Sequence, residues 1–255
     1  TASNDNARQV CNRMKSNMIS RKRLGIIAGV IFISSQLFAG GSITGTVTYE
    51  GKIPKLKKFD MAIEPVCLMK HEKDPVKYTG RSEALVLGDG NTMANIFVQV
   101  ISGLQEKEYP APEEPVVLDQ NGCTYMPHVL ALMVGQPLKF LNSDGVLHNL
   151  HTLPEENDEF NVTMPKFLKE TIRTFEYAEG MFPIKCDVHP WMGGFVAVLD
   201  HPFFAVTQKD GVYKIEGLDP GDYEIELWHE KLGIRNASVS VKGDETQTFD
   251  FVFKR

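Results

Sequence analysis

The chain has 255 residues, of which 42% are hydrophobic and 24% are charged. This balance is ordinary for a folded globular protein, and it excludes a disordered chain and a bundle of membrane helices. The net charge of −6 at pH 7 disfavours nucleic acid as a partner. At this length one or two domains are expected, and we expect two.

Residues 1–40 predict an export signal with an upstream extension. A basic cluster at 21–23 precedes an apolar run at 24–38, and small residues follow at 39–41. The run is shorter than the ~20 residues of a spanning helix, so we expect cleavage, a periplasmic or extracellular location and no membrane span in the mature chain. The mature chain keeps 21 basic and 32 acidic residues, a net charge near −11 that suits docking to a basic partner.

From residue 42 onward, short runs of β-forming residues alternate with Asp-Gly, Asn-Gly and Pro-Gly turns. The clearest runs are at 42–50, 93–101, 129–134, 195–199, 223–228 and 246–253. This pattern predicts an all-β sandwich or barrel. Residues 55–78 and 153–168 are predicted to be loop-like.

A candidate metal-binding loop lies in the last third of the chain, where residues 186–192 read CDVHPWM. Cys186, His189 and Met192 follow one another at intervals of three, with donors that are soft or borderline. Copper that cycles between Cu(I) and Cu(II) is held by two imidazoles and a thiolate, with a weak axial methionine. The alternative for Cys186 and His189 alone is a buried thiol beside a hydrogen-bonded histidine. Zinc is disfavoured because a thioether is a poor zinc ligand.

The second imidazole is expected from a neighbouring strand that carries His148 and His151. Residues three apart on a strand face opposite sides, so only one of the two can point at the loop. We choose His148 and keep His151 as the alternative.

Two segments carry a resemblance to a known family. The run VGQPLKFLNSDGVLHN from residue 134 and the later CDVHPWM are similar to the copper-binding halves of cupredoxins, over residues 125–199. The loop resembles that of amicyanin most closely. The resemblance implies one type 1 copper site with four ligands: His148, Cys186, His189 and Met192. It also implies that Asn149 ties the first ligand's strand to the cysteine loop, and we expect Trp191 to form an apolar rim around an exposed edge of His189.

The two ends of the chain resemble a different family. SITGTVTYEGKIP from residue 42 and DGVYKIEGLDPGDYEIELWHE from residue 210 are similar to the carboxypeptidase regulatory-like β-sandwich. We therefore predict a cupredoxin Greek-key β-sandwich at 111–202, inserted into a second β-sandwich made of 41–110 and 203–255. The whole chain also resembles the large proteins labelled methylamine-utilisation proteins.

Three cysteines remain in the mature chain. If Cys186 binds copper, an exported protein is expected to pair Cys67 with Cys123 in a disulfide. The alternative is a second metal site, because His71 follows Cys67 and His128 follows Cys123 at short spacing.

These patterns predict an exported mononuclear blue-copper electron-transfer protein and not an enzyme. Its expected partners are redox proteins, such as a cytochrome, a dehydrogenase or an oxidase. The sequence lacks the His-x-His pairs and the His-Cys-His run of a multicopper oxidase. Two alternatives are a periplasmic copper storage or delivery protein, and a scaffold or adhesion module in which the copper is incidental.

Overall fold

The computed structural model describes residues 40–255, so the predicted signal lies outside the described residues except for Gly40. Within the described part, no helix is long and apolar enough to cross a membrane. The helices are α1 (Pro65–Lys73) and a 3₁₀ turn (Asp89–Asn91). The strands are β1 (Gly41–Glu50), β2 (Phe97–Ser102), β3 (Val116–Gln120), β4 (Tyr125–Met126), β5 (Val129–Met133), β6 (Leu138–Asn142), β7 (His148–Thr152), β8 (Asn161–Met164), β9 (Glu170–Arg173), β10 (Glu179–Lys185), β11 (Gly193–Leu199), β12 (Phe204–Val206), β13 (Val212–Leu218), β14 (Gly221–His229), β15 (Gly233–Val241), β16 (Thr246–Thr248) and β17 (Phe251–Lys254).

Strands from the two ends of the chain form one pair of sheets. In the first sheet β1 pairs with β13, β16 and β17, and in the second the order is β12-β2-β14-β15. Apolar and polar residues alternate along β1, so the side chains of Ile43 and Val47 point into a core shared by both sheets. Gly45 is required there, because a Cβ atom would lie 1.8 Å from the carbonyl oxygen of Phe249.

Strands from the middle of the chain form a second pair of sheets. Their orders are β5-β11-β10-β7-β8 and β4-β3-β6-β9. The inward residues of both sheets pack into one core, which includes Leu118, Phe140, Leu150, Phe182 and Val196. The predicted all-β sandwich class is confirmed.

A smaller apolar cluster connects strands of the two pairs of sheets. Phe97 on β2 and Trp228 on β14 pack with Val129 on β5 and with Ala197 and Leu199 on β11. The predicted domain boundaries remain a prediction.

Two segments predicted to be loops contain regular structure. Residues 65–73 form α1, and Asn161–Met164 form β8. The helix begins with Glu64 as its N-cap, whose side chain accepts from the Val66 N–H, and with proline in the first turn. The only buried residues of α1 are Cys67 and His71, so it has no apolar stripe of the kind that reveals a helix in a sequence.

Candidate metal centre

The predicted metal-binding loop connects two paired strands. β10 and β11 are antiparallel, with Lys185 opposite Gly193, so residues 186–192 form the turn between them. The Cys186 N–H donates to the Met192 carbonyl at 2.9 Å, and the Met192 N–H donates to the His189 carbonyl at 2.9 Å. These bonds close the loop on itself and fix the three predicted ligands at one end of the sheet.

His148 is the first residue of β7, which pairs with β10 and therefore begins beside the loop. Its imidazole is fully buried. His151 points to the other side of the strand, where its ring nitrogens contact Asp187 at 2.9 Å and Glu159 at 2.6 Å. The structure brings His148, and not His151, to Cys186 and His189.

Three predicted ligands present their donor atoms to one point. The Nδ1 atoms of His148 and His189 are 3.0 Å apart, and the Cys186 Sγ lies 3.7 Å from the His189 Nδ1. His148, Cys186 and His189 are at most 3% exposed. Two imidazole nitrogens and one thiol sulfur at these distances fit the donor set of a copper site.

Met192, the fourth predicted ligand, is buried in the same core as Cys186. Its side chain is 2% exposed. Its backbone contacts with Cys186 and His189 place it at the same end of the sheet as the three other predicted ligands. Its role as an axial ligand remains a prediction.

The thiol of Cys186 is prepared to bind a metal. Burial raises its pKa, but hydrogen bonds with His148 and His189 outweigh burial and bring the pKa down to about 6. The thiolate is the form of cysteine that binds metals. The hydrogen bonds around Cys186 therefore favour the form of the sulfur that a metal requires.

Asn149 ties β7 to the loop. Its Oδ1 accepts from the Asp187 N–H at 2.8 Å and lies 3.3 Å from the Cys186 Sγ. Its Nδ2 donates to Asn161 at 2.7 Å and to the Asp187 carboxylate at 3.0 Å. The Asn149 amide is thus held through both its oxygen and its nitrogen. It fixes the cysteine loop relative to the strand that carries His148.

No motif in the sequence indicated a role for Asp144, which lies four residues before His148. Its carboxylate accepts a hydrogen bond from the His148 Nε2 at 2.9 Å and from Lys70 of α1 at 2.6 Å. Burial raises the pKa of Asp144, but the bonds from His148 and Lys70 outweigh it and lower the pKa. The same contact helps to raise the pKa of His148, against the effect of burial.

The predicted disulfide is present and lies against the centre. Cys67 of α1 is joined to Cys123, with Cα atoms 5.6 Å apart. The Cys67 Sγ is 3.9 Å from the Nε2 of His189, whereas the Nδ1 of the same ring faces His148 and Cys186. His189 is only 1% exposed, so the exposed imidazole edge expected from the sequence is wrong. The disulfide lies beside the buried His189 ring.

Trp191 also covers His189, with ring centroids 5.2 Å apart. Its indole Nε1 donates to the Cys123 carbonyl at 3.1 Å, and its ring stacks on Phe59 with centroids 6.5 Å apart. Trp191 is itself partly exposed. It is therefore the outer member of the pair formed with His189.

The alternative second metal site is not assembled. His71 contacts the Gly122 carbonyl at 2.6 Å, and His128 contacts Glu230 at 3.3 Å. Among residues 40–255, no group of clustered metal-binding side chains includes His71 or His128. Both Cys67 and Cys123 are used by the disulfide.

No family model matches the chain, and no curated protein matches it. Among solved structures, a reduced variant of amicyanin is 24% identical and covers 40% of this chain and 97% of its own, with a TM-score of 0.30. A purple cupredoxin from Nitrosopumilus maritimus is 23% identical over 32% of this chain and 97% of its own, with a TM-score of 0.28. The copper-containing nitrite reductase from Thermus scotoductus SA-01 is 22% identical over 39% of this chain, with a TM-score of 0.31, and the match spans only 25% of that enzyme. Each of these three matches covers two fifths of this chain or less.

Proposed function

We propose that this chain is an exported mononuclear blue-copper protein that carries one electron at a time between redox proteins, and that it is not an enzyme. One observation carries the proposal: the His148 and His189 Nδ1 atoms are 3.0 Å apart, and the Cys186 Sγ lies 3.7 Å from the latter. Copper bound there would supply reversible one-electron exchange.

The residues around this point favour a rigid site over a labile one. Backbone hydrogen bonds close the loop, and the Asn149 Oδ1 accepts from the N–H of Asp187, the residue that follows Cys186. Since the donors are fixed before copper binds, little rearrangement is needed when the oxidation state changes. Fast electron transfer requires such a rigid site, whereas storage and delivery of copper require a site that releases the metal readily.

Trp191 is the proposed route for electrons between the centre and the surface. The His189 ring is buried, whereas Trp191 lies over it and reaches a surface cavity of about 560 Å³. Phe59, Ile63 and Pro190 line the same cavity. We propose that a redox partner docks there and contacts the indole, not the imidazole.

The proposed domain arrangement places the copper centre in an inserted unit. The core of the middle strands draws its residues from 116–198, and the core of the outer strands draws its residues from 43–109 and 203–253. This separation supports an insert at 111–202 within an outer sandwich of 41–110 and 203–255. We propose that the outer sandwich presents the copper unit to its partners.

Voltammetry and chelator competition test this function against copper storage or delivery. The copper-loaded protein is expected to give a reversible one-electron wave and to keep its copper in a mild chelator. A protein that loses copper to the chelator and gives no reversible wave would favour storage or delivery. Retention of copper with no redox wave at all would instead favour a scaffold in which the metal is incidental.

A further inference from the structure

The Asp144 carboxylate is held in one orientation by four donors. Its Oδ1 accepts from the Gly122 N–H at 2.7 Å and from Lys70 at 2.6 Å. Its Oδ2 accepts from the Cys123 N–H at 2.8 Å and from the His148 Nε2 at 2.9 Å. The Asp144 side chain has no solvent exposure. A carboxylate bound in this way is a fixed negative charge beside a predicted copper ligand.

We propose that Asp144 and Lys70 set the reduction potential of the copper centre, Asp144 by orienting and polarising His148 and Lys70 by offsetting part of the Asp144 charge. This inference rests on the copper function proposed above. It makes both residues positioning residues that act through His148.

Asp144 is expected to choose the ring nitrogen that faces the metal. An ionised carboxylate only accepts hydrogen bonds, so the His148 Nε2 must carry the proton. The Nδ1 of the neutral ring then carries the lone pair that a metal would bind, and this atom lies 3.0 Å from the His189 Nδ1. A carboxylate partner also makes an imidazole ligand more basic.

The two charges are expected to act in opposite directions. Negative charge near the centre stabilises Cu(II) relative to Cu(I) and lowers the reduction potential, and the buried surroundings strengthen this effect. Positive charge on Lys70 does the reverse. Lys70 is 29% exposed and therefore more screened by water than Asp144. The effect of Lys70 is expected to be the smaller one.

Through Lys70, the contact with Asp144 links the centre to α1. Lys70 belongs to α1, three residues after Cys67, so the same helix that closes the disulfide over His189 also contacts the partner of His148. Both imidazoles of the centre are thus influenced by one helix from outside the loop. Docking of α1 becomes a determinant of the potential.

Reduction potentials of the copper-loaded full chain test whether Asp144 and Lys70 shift the potential in opposite directions. Asp144→Asn keeps the shape and removes the charge, and it is expected to change the Cu(II)/Cu(I) affinity ratio by about tenfold, a rise of about 59 mV. Lys70→Met removes the positive charge and is expected to lower the potential by a smaller amount. Lys70→Arg keeps that charge and is expected to keep the wild-type potential. Lys254→Met is the matched control, because Lys254 pairs with Glu50 on β1, outside the strands of the copper core, and should leave the potential unchanged.

A second readout needs no copper. Nitrogen NMR of the copper-free protein, above the pH at which its imidazoles titrate, is expected to show His148 protonated at Nε2 in the wild type and in Asp144→Asn, which retains an acceptor oxygen. Asp144→Ala removes the acceptor and is expected to give a mixture of tautomers. A single Nε2 tautomer in folded Asp144→Ala would overturn the orienting role.

The outcomes separate this inference from the copper function. A wild-type protein without a type 1 spectrum would contradict the copper proposal, while the NMR result would still report on Asp144. A normal wild-type spectrum with shifts of the same sign in Asp144→Asn and Lys70→Met would overturn the inference alone. If Asp144→Ala fails to fold, the Lys70 variants decide: an unchanged potential in Lys70→Met would overturn the charge effect.

Discussion

The two sides of the centre are built in different ways. On one side, the loop from Cys186 to Met192 holds three predicted ligands within seven residues and closes with two backbone hydrogen bonds. On the other side, α1 supplies no predicted ligand, but Cys67 lies against His189 and Lys70 contacts Asp144. The identity of the donors is therefore local in the sequence, whereas their surroundings depend on contacts between distant segments.

The largest expected effect comes from the loop. Cys186→Ser removes the thiolate, and because intense colour in a blue-copper site requires the copper–thiolate bond, the strong visible absorption should disappear. An absorption spectrum of the copper-loaded variant measures this. His151→Gln is the matched control within the same region, since His151 faces away from the centre, and it should keep the colour. A Cys186→Ser protein that remains intensely coloured would show that the donor set is wrong.

The contrast between the two sides also explains what the sequence could predict. Cys186, His189 and Met192 form a short pattern, and strand periodicity limited the second histidine to His148 or His151. The covering helix escaped prediction because its buried positions are Cys67 and His71, which give no apolar stripe.

The contacts of that helix could not be read from spacing either. Cys67 is 122 residues from His189, and Lys70 is 74 residues from Asp144. Contacts at such separations depend on how the sheets pack and leave no local pattern in the chain. The expected exposed edge of His189 was wrong for this reason: a segment far away in the sequence covers it.

Removal of the disulfide is expected to have the next largest effect. Replacing Cys67 and Cys123 together by alanine frees a loop with a sequence separation of 56, and should lower the free energy of unfolding by about 2–4 kcal/mol. Denaturant unfolding under non-reducing conditions measures it. The wild type treated with a reductant is the control and should lose a similar amount. Equal stability of wild type and variant would show that α1 is held without the bond.

The double variant also tests the covering role of α1. With the disulfide gone, the His189 Nε2 is expected to become accessible, so a chelator should remove copper faster than from the wild type. The rate of loss of visible absorption after addition of the chelator measures this. An unchanged rate would assign the protection of His189 to Trp191 instead.

A smaller effect is expected from the methionine of the loop. Met192→Leu exchanges the predicted axial thioether for an apolar side chain of similar size, and should keep the copper and the colour while raising the potential. A tenfold change in the Cu(I)/Cu(II) affinity ratio corresponds to about 59 mV. Met133→Leu, at a buried methionine on β5, is the control and should leave the potential unchanged. Loss of copper from Met192→Leu would contradict the weak axial role.

The smallest effect is expected at the contact of His128 with Glu230. Burial lowers the pKa of His128, but the bond to Glu230 and the charge of Glu83 outweigh burial and raise it. The stabilisation is therefore full below the ordinary histidine pKa of about 6.5 and is lost as the pH rises through the higher folded value. As the pH rises through that value, the unfolding free energy of the wild type should fall by about 1 kcal/mol more than that of His128→Gln. Denaturant unfolding at several pH values measures this, and parallel curves for the two proteins would contradict it.

An optical and EPR spectrum of the protein, titrated with copper, tests the proposed copper centre most directly. The expected result is an intense visible band and a narrow copper hyperfine splitting that both saturate at one copper per chain. A colourless protein whose copper gives the EPR signal of an ordinary nitrogen and oxygen site would contradict the assignment of Cys186, His148 and His189 as copper ligands.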